Sequence, residues 1–243
     1  MPLPCYITPF PSTSPPPPQA MIIFYSAGNY GGNGDYSCTM EATSKNVVVV
    51  GASESTFDSD NVANVAYYSS KGPTYDGRIK PDLVAPGDSI MSVNSNGNGG
   101  ASCKTVGKTG TSMASPAAAG TALLVRQYFQ DPAGKFWRAV CNKNYLFCKG
   151  FAPSGVLMKA VLLHSGSKMN QFNGAACGCG TPSVTLGAPP DSTQGYGRIT
   201  LRNVLPLTGK FNFDLFVMDL TRIQANSKII YHAHVVSSST PLK

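Results

Sequence analysis

Hydrophobic residues gather in short runs along the chain, and each run is bounded by polar residues, glycine or proline. The run at 21–26 leads into a Gly/Asn loop, and valine fills every position from 47 to 50. A continuous apolar run of this length is typical of a parallel strand buried on both faces. Short strands alternating with Pro/Gly turns are predicted from 65 to 95. The pattern therefore predicts an α/β fold with a mostly parallel sheet.

Two helices are predicted in the second half of the chain. Residues 115–129 (SPAAAGTALLVRQYF) are apolar nearly all round, which predicts a helix in the interior. Pro116 falls in its predicted first turn, where a missing N–H costs nothing. A second helix is predicted over 154–166, with Ser154 as its N-cap. The sheet is expected to carry helices on both faces.

Both ends of the chain differ from this middle part in composition or in hydrophobic periodicity. Residues 1–20 are rich in proline and serine and are predicted to be extended or disordered. From about 209 the apolar positions change to period two, as in KIIYHAHVV at 228–236. That alternation predicts the start of a β-sandwich over 209–243.

Composition and charge exclude several classes of function. Of the 243 residues, 42% are hydrophobic and 13% are charged, which is ample material for a core. No apolar stretch approaches the roughly 20 residues needed to cross a bilayer, so no membrane segment is predicted. The net charge of +7 is scattered and accompanies no nucleic-acid module, so it is interpreted as a solvated surface.

Seven cysteines are dense for a cytosolic protein. A metal site needs four ligands at suitable spacing, and only Cys177 and Cys179 lie close together, so disulfides are the favoured interpretation. We expect at least one bridge among Cys141, Cys148, Cys177 and Cys179. This expectation indicates an oxidising compartment, although the chain shows neither a signal peptide at its N-terminus nor an N-x-S/T sequon.

Ser112 is placed where a hydroxyl has chemical use. It lies in TGTSMASP, directly in front of the predicted interior helix, beside unpaired backbone N–H groups and the positive end of the helix dipole. Such a position suits a nucleophile that leaves an oxyanion beside those N–H groups. Gly110 keeps the backbone free of a Cβ where a substrate approaches. The alternative is that Ser112 is only an N-cap.

Four motifs together favour the catalytic interpretation. GTSMASP at 110–116 resembles the nucleophile motif of the subtilisin-like serine peptidases, and SAGNYG at 26–31 resembles the oxyanion segment of that family. The stretches at 45–53 and 68–87 resemble the strand and the SSxGP…KPDxxAPG segment that lie between them. The residues at 153–166 and 194–207 extend the likeness. The resemblance implies a subtilisin-like fold over 21–208 and cleavage of peptide bonds through an acyl-enzyme.

The resemblance also assigns roles to individual residues. Ser112 matches the nucleophile, and Asn29 matches the side-chain donor of the oxyanion hole. The backbone N–H of Ser112 would be the second donor. The three residues before Asn29 match the border of the pocket for the substrate side chain that precedes the scissile bond: Ser26, Ala27 and Gly28. Pro86 and Gly87 are expected to be structural.

The histidines depart from the family pattern. The triad order in this family is Asp, His, Ser, so the general base should precede Ser112. All three histidines, at 164, 232 and 234, follow it, and no triad motif for the aspartate or the histidine occurs. His164 is interpreted as a packing or surface residue. His232 and His234 share one strand face, a pair without a third metal ligand.

Two explanations of this departure stay open at this point. Either the chain is the C-terminal part of a longer peptidase domain, incomplete at its N-terminus and cut within the sandwich, or it is a pseudoprotease that acts as a binding module. Both imply protein or peptide partners and no organic cofactor. Family members often bind structural calcium, but no carboxylate cluster here indicates a site. The secretory pathway is the expected location of the parent protein.

Overall fold

The computed structural model describes residues 5–7, 21–54, 62–94, 104–131, 150–178 and 180–206, together with 215, 217, 219 and 228. Nine strands are assigned within this part: β1 (Cys5–Ile7), β2 (Ile22–Ser26), β3 (Val48–Ser53), β4 (Asn64–Val65), β5 (Leu83–Pro86), β6 (Ile90–Val93), β7 (Thr105–Lys108), β8 (Gln171–Phe172) and β9 (Val184–Thr185). The two α-helices described are α1 (Thr111–Gln130) and α2 (Gly155–His164).

The centre of the main sheet is parallel. β3 pairs parallel with β2 on one side and with β5 on the other. Shorter antiparallel pairs join β1 to β2 and β8 to β9, and β6 and β7 form a separate antiparallel hairpin. All six residues of β3 are buried, as the unbroken valine run predicts. The predicted α/β class with a mostly parallel sheet is confirmed.

Alternation along β3 divides the core between the two faces of the sheet. Val48 and Val50 pack in one cluster with the buried sides of α1 and α2. Val49 points the other way and packs with Ala27 and Ala42, of which Ala42 lies in a short 3-10 helix, Glu41–Thr43. Both described α-helices thus lie on one face, while the short helix and loops cover the other.

A buried ion-pair cluster joins β3, β5 and α2. Asp82 accepts hydrogen bonds from the backbone N–H of Val49 at 2.8 Å and from Lys80 Nζ at 2.6 Å. Lys159 Nζ lies 3.1 Å from the second carboxylate oxygen. Burial lowers the pKa of Lys80 below its ordinary value, while Asp82 opposes that shift. Asp82 therefore neutralises Lys80 and Lys159, whose burial without an anion would be energetically unfavourable.

Three predictions about the elements have outcomes in the structure. Ser154 is confirmed as the N-cap of α2, since its hydroxyl accepts the N–H of Leu157 at 3.1 Å. Residues 5–7 belong to the stretch predicted to be extended or disordered, and they form the extended strand β1, which pairs antiparallel with β2. The predicted β-sandwich over 209–243, with His232 and His234, lies almost wholly outside the described residues and stays a prediction.

Candidate active site

Ser112 lies inside the first turn of α1 rather than in front of it. The helix begins at Thr111, and its N-cap is Gly110, which offers no side-chain cap. The alternative that Ser112 is the N-cap is therefore wrong. Gly110 adopts φ +150°, a conformation that side chains disfavour, and the helix begins at Thr111, four residues before its predicted start at residue 115.

At this helix start, the N–H and the hydroxyl of Ser112 are not used in hydrogen bonds with other described residues. Ser112 is half-buried, and within the described residues neither its N–H nor its hydroxyl has a hydrogen-bond partner. The next two N–H groups, of Met113 and Ala114, both donate to the Gly110 carbonyl at 2.9 and 3.4 Å. An unpaired N–H at the positive end of a helix is a ready site for an anion.

Pro116 stands in the second turn, not in the first turn as predicted. It is the sixth residue of α1 because the helix begins at Thr111. Proline has no N–H to donate to the residue four positions earlier, which is Ser112. The carbonyl of Ser112 therefore cannot accept the hydrogen bond that residue 116 would donate in an ordinary α-helix.

Thr111, the residue before Ser112, holds the side chain of Asn29 in place. Its Oδ1 accepts the backbone N–H of Thr111 at 2.9 Å and the Thr111 hydroxyl at 3.0 Å. Because both bonds use the oxygen, the Nδ2 group remains available as a donor on the exposed side of the site. A Cβ at Gly110 would lie 3.3 Å from that Nδ2, so a side chain there would crowd the donor.

The segment before Asn29 is held at the end of β2. Ser26 and Ala27 are buried, and the N–H of Gly28 donates to the Thr111 hydroxyl at 3.2 Å. Gly28 adopts φ +110°, and a Cβ there would lie 2.8 Å from Ser70 Oγ. Only glycine therefore fits this turn. Sequence analysis placed these three residues on one border, and the structure joins that border to α1 through Thr111.

Gly87 contacts Gly110, the N-cap residue of α1. Its carbonyl accepts the N–H of Gly110 at 2.8 Å. A Cβ at Gly87 would lie 2.7 Å from the Cβ of Ala52 and 2.9 Å from the Gly110 carbonyl oxygen. Such distances require something to shift, so glycine is needed here for packing, in keeping with the structural role expected for Gly87.

Sequence reasoning overlooked the residues that connect these segments. Thr111 bridges Asn29 and Gly28, and the Ser70 hydroxyl accepts the N–H of Tyr30 at 3.0 Å. Thr109 donates to Asp88 at 2.7 Å, which ties the approach to α1 to the loop after β5. The only signal in the sequence was position, because Thr111 and Ser70 lie within the matched motifs and Thr109 directly precedes one of them.

No histidine is brought to the site by the described residues. His164 is the last residue of α2 and is exposed, in agreement with its interpretation as a surface residue.

Among the described residues, no group of three or more His, Cys, Asp or Glu side chains is arranged to hold a metal ion. In that same part of the chain, no helix combines the length and apolar character that crossing a membrane requires.

Two cysteines have a described state. Cys38 is a free, half-buried thiol, and burial raises its pKa to about 11. Cys177 takes part in a disulfide. The expected bridge within the set of Cys141, Cys148, Cys177 and Cys179 stays a prediction.

Comparison with known proteins shows similarity to one family. The model of the subtilase family, Peptidase_S8, matches residues 16–197. The serine protease/ABC transporter B family protein tagD of Dictyostelium discoideum is 37% identical over 123 residues, which are 45% of this chain and 6% of that protein. The serine protease AprX of Bacillus subtilis is 35% identical over 126 residues, which are 46% of this chain and 27% of AprX.

A solved structure aligns with a larger share of this chain than these relatives do. Sphericase aligns with 73% of this chain and 47% of its own, at a TM-score of 0.49 and 19% identity. The chain spans less than a third of the length of the curated relatives it matches here.

Proposed function

This chain belongs to the subtilase family of serine peptidases, and we propose that Ser112 is the nucleophile of a subtilisin-type endopeptidase. The observation that carries the proposal is the pairing of two open donors at one helix start. The Ser112 N–H has no partner among the described residues, and the Asn29 carboxamide is held by its oxygen, which leaves its Nδ2 available.

These groups suit the first step of peptide-bond cleavage. The Ser112 oxygen attacks the scissile carbonyl carbon, and the carbonyl oxygen becomes an oxyanion that the Ser112 N–H and Asn29 Nδ2 stabilise. The C–N bond then breaks to leave an acyl-enzyme, and the amine departs with a proton. The border formed by Ser26, Ala27 and Gly28 receives the substrate side chain before that bond. Proteins or peptides are the proposed substrates.

The proton balance of this step requires a base that the chain does not offer before Ser112. The hydroxyl must lose its proton as it attacks, and the departing amine must gain one. The three histidines of the chain all follow Ser112, and the one in the described part is exposed at the end of α2. We therefore propose that the triad Asp and His come from polypeptide outside this chain, and that the chain alone is inactive.

The remaining parts of the proposal follow from the family and the cysteines. No organic cofactor is needed for this chemistry, and structural calcium remains an expectation of the family without an assigned site. The disulfide-bonded state of Cys177 supports an oxidising, secretory location for the parent protein. A binding role without catalysis is the second candidate, favoured by the missing base.

Restoring the base tests the proposal. Residues 21–243 are joined behind the part of AprX that precedes its match with this chain, which should carry the aspartate and histidine by the triad order of the family. We call this protein the extended chain. It should hydrolyse unfolded casein, and Ser112→Ala should abolish the hydrolysis. A folded extended chain that binds casein without cleaving it would favour the pseudoprotease.

A further inference from the structure

Asparagine followed directly by glycine is a chemically labile pair, and the described residues contain two such pairs, Asn33–Gly34 and Asn173–Gly174. Glycine has no Cβ, so its backbone nitrogen can approach the side-chain carbonyl of the asparagine before it. Attack at that carbonyl expels ammonia, and asparagine is for this reason a thermolabile residue. The surroundings of the two pairs differ, and this difference predicts which pair reacts.

Asn33 lies in an open turn. It is the last residue of a single-turn 3-10 helix, Gly31–Asn33, and it is exposed. Within the described residues its carboxamide has no hydrogen-bond partner. Gly34 adopts φ +89°, and nothing lies within 4 Å of a Cβ added to it. The N–H of Gly34 donates to the Gly31 carbonyl at 3.1 Å, so one backbone bond must open before the nitrogen attacks.

Asn173 is held at both ends of its carboxamide. Its Nδ2 donates to the buried carboxylate of Glu54, and its Oδ1 accepts the Ser183 hydroxyl at 3.3 Å. The backbone around Gly174 is crowded, since an added Cβ would clash with the Pro182 carbonyl. Attack on the Asn173 side chain would therefore require these bonds to break in a turn with little room to move.

We propose that Asn33 is a site of spontaneous deamidation and that Asn173 is protected from it. The backbone nitrogen of Gly34 loses its proton and forms a bond to the side-chain carbonyl carbon of Asn33, and the side-chain nitrogen leaves as ammonia. Water then opens the cyclic imide at either of its two C–N bonds, which gives aspartate or isoaspartate. Each product places a carboxylate where the neutral carboxamide was.

The modification falls in the loop that follows Asn29. Backbone hydrogen bonds from Gly31 and Tyr36 anchor this loop to the segment 68–72. Asn33 lies between the two anchors, and isoaspartate lengthens the backbone at that point by one carbon. The reaction needs only this chain and water, so it does not depend on whether Ser112 is a nucleophile.

Peptide mass analysis of the 243-residue chain tests the proposal. In mildly alkaline buffer, the products at Asn33 should form about tenfold faster than those at Asn173 or more, because the bond of Asn173 to a carboxylate must be lost before attack. The rate at Asn33 should rise with pH, since the Gly34 nitrogen attacks after losing its proton. In urea, where the fold no longer separates the two pairs, their rates should be alike.

Two variants serve as controls. Asn33→Gln should remove the acidic species that accumulates in the folded chain. Glu54→Ala should speed the reaction at Asn173 and leave that at Asn33 unchanged, and an unchanged rate at Asn173 would contradict its protection by Glu54. Equal rates at the two asparagines in the folded chain, or an intact Asn33 in a folded chain whose unfolded form reacts there, would overturn the proposal.

Discussion

Thr111 holds the carboxamide of Asn29 through two hydrogen bonds to the same oxygen, one from its backbone N–H and one from its hydroxyl. Two donors on Oδ1 fix which end of the amide faces Thr111, and they leave Nδ2 free of those bonds. The same hydroxyl also accepts the N–H of Gly28. Thr111 thus links Asn29, Gly28 and the start of α1 in one arrangement.

The first prediction removes this link. In the extended chain, Thr111→Val should slow fluorophosphonate labelling of Ser112 by about tenfold, the effect of one net hydrogen bond of ~1.4 kcal/mol. Thr111→Ser should restore the rate because it keeps the hydroxyl. Asn29→Ala should cost about 10²–10³-fold, a range measured on subtilisin itself for its oxyanion asparagine.

A double-mutant comparison separates positioning from simple destabilisation. If Thr111 acts through Asn29, Thr111→Val should add little once Asn29 is alanine. Labelling rates that multiply in the double variant would show that Thr111 acts independently of Asn29.

The second prediction concerns the packing under the helix start. Gly87→Ala should lower the free energy of unfolding by about 1–3 kcal/mol, because overpacking forces Ala52 or the Gly110 carbonyl to move. The same change should slow labelling of Ser112 in the extended chain. Gly187→Ala is the matched control, since nothing lies within 4 Å of its added Cβ. Urea unfolding would contradict this account if the two variants lost equal stability.

The third prediction concerns the buried ion-pair cluster. Asp82→Asn should cost about 3–5 kcal/mol of stability, because it leaves Lys80 and Lys159 without their shared anion. Asp76→Asn, in the exposed pair with Arg78, should leave the urea midpoint unchanged. A midpoint for Asp82→Asn close to that of the unaltered chain would show that the cluster does not hold β5 and α2 to β3.

The fourth prediction concerns the reactivity of Cys38. Burial raises its pKa to about 11 from an ordinary 9.0, so its thiolate fraction at pH 8 should be about 100-fold below that of an unfolded chain. Iodoacetamide labelling followed by peptide mass analysis should find this cysteine slow in the folded protein and fast in urea. Since the folded-state pKa is the higher one, the stabilising effect of this thiol is present below pH 9 and is lost as pH rises towards 11. Equal rates in buffer and in urea would contradict the burial of the thiol.

The sequence predicted those parts of the fold that depend on local patterns of residues. The valine run of β3 and the N-cap of α2 could be read directly, because burial on both faces and a capping hydroxyl leave clear patterns. The predicted start of α1 was wrong, because the backbone conformation of Gly110 cannot be recognised from the sequence. The role of Thr111 was also missed. Thr111 acts through partners 82 or 83 positions away, and local sequence patterns do not report contacts at that separation.

The central claim is that Ser112 is a nucleophile with its oxyanion donors in place and its base elsewhere, and labelling of Ser112 by a fluorophosphonate probe tests this claim most directly. A serine hydroxyl is a weak nucleophile without a base. The 243-residue chain should therefore show no labelling, the extended chain should label stoichiometrically, and Ser112→Ala should remove that label. Stoichiometric labelling of Ser112 in the 243-residue chain alone would contradict the account by revealing a base within it, and failure of a folded extended chain to label would contradict the assignment of Ser112.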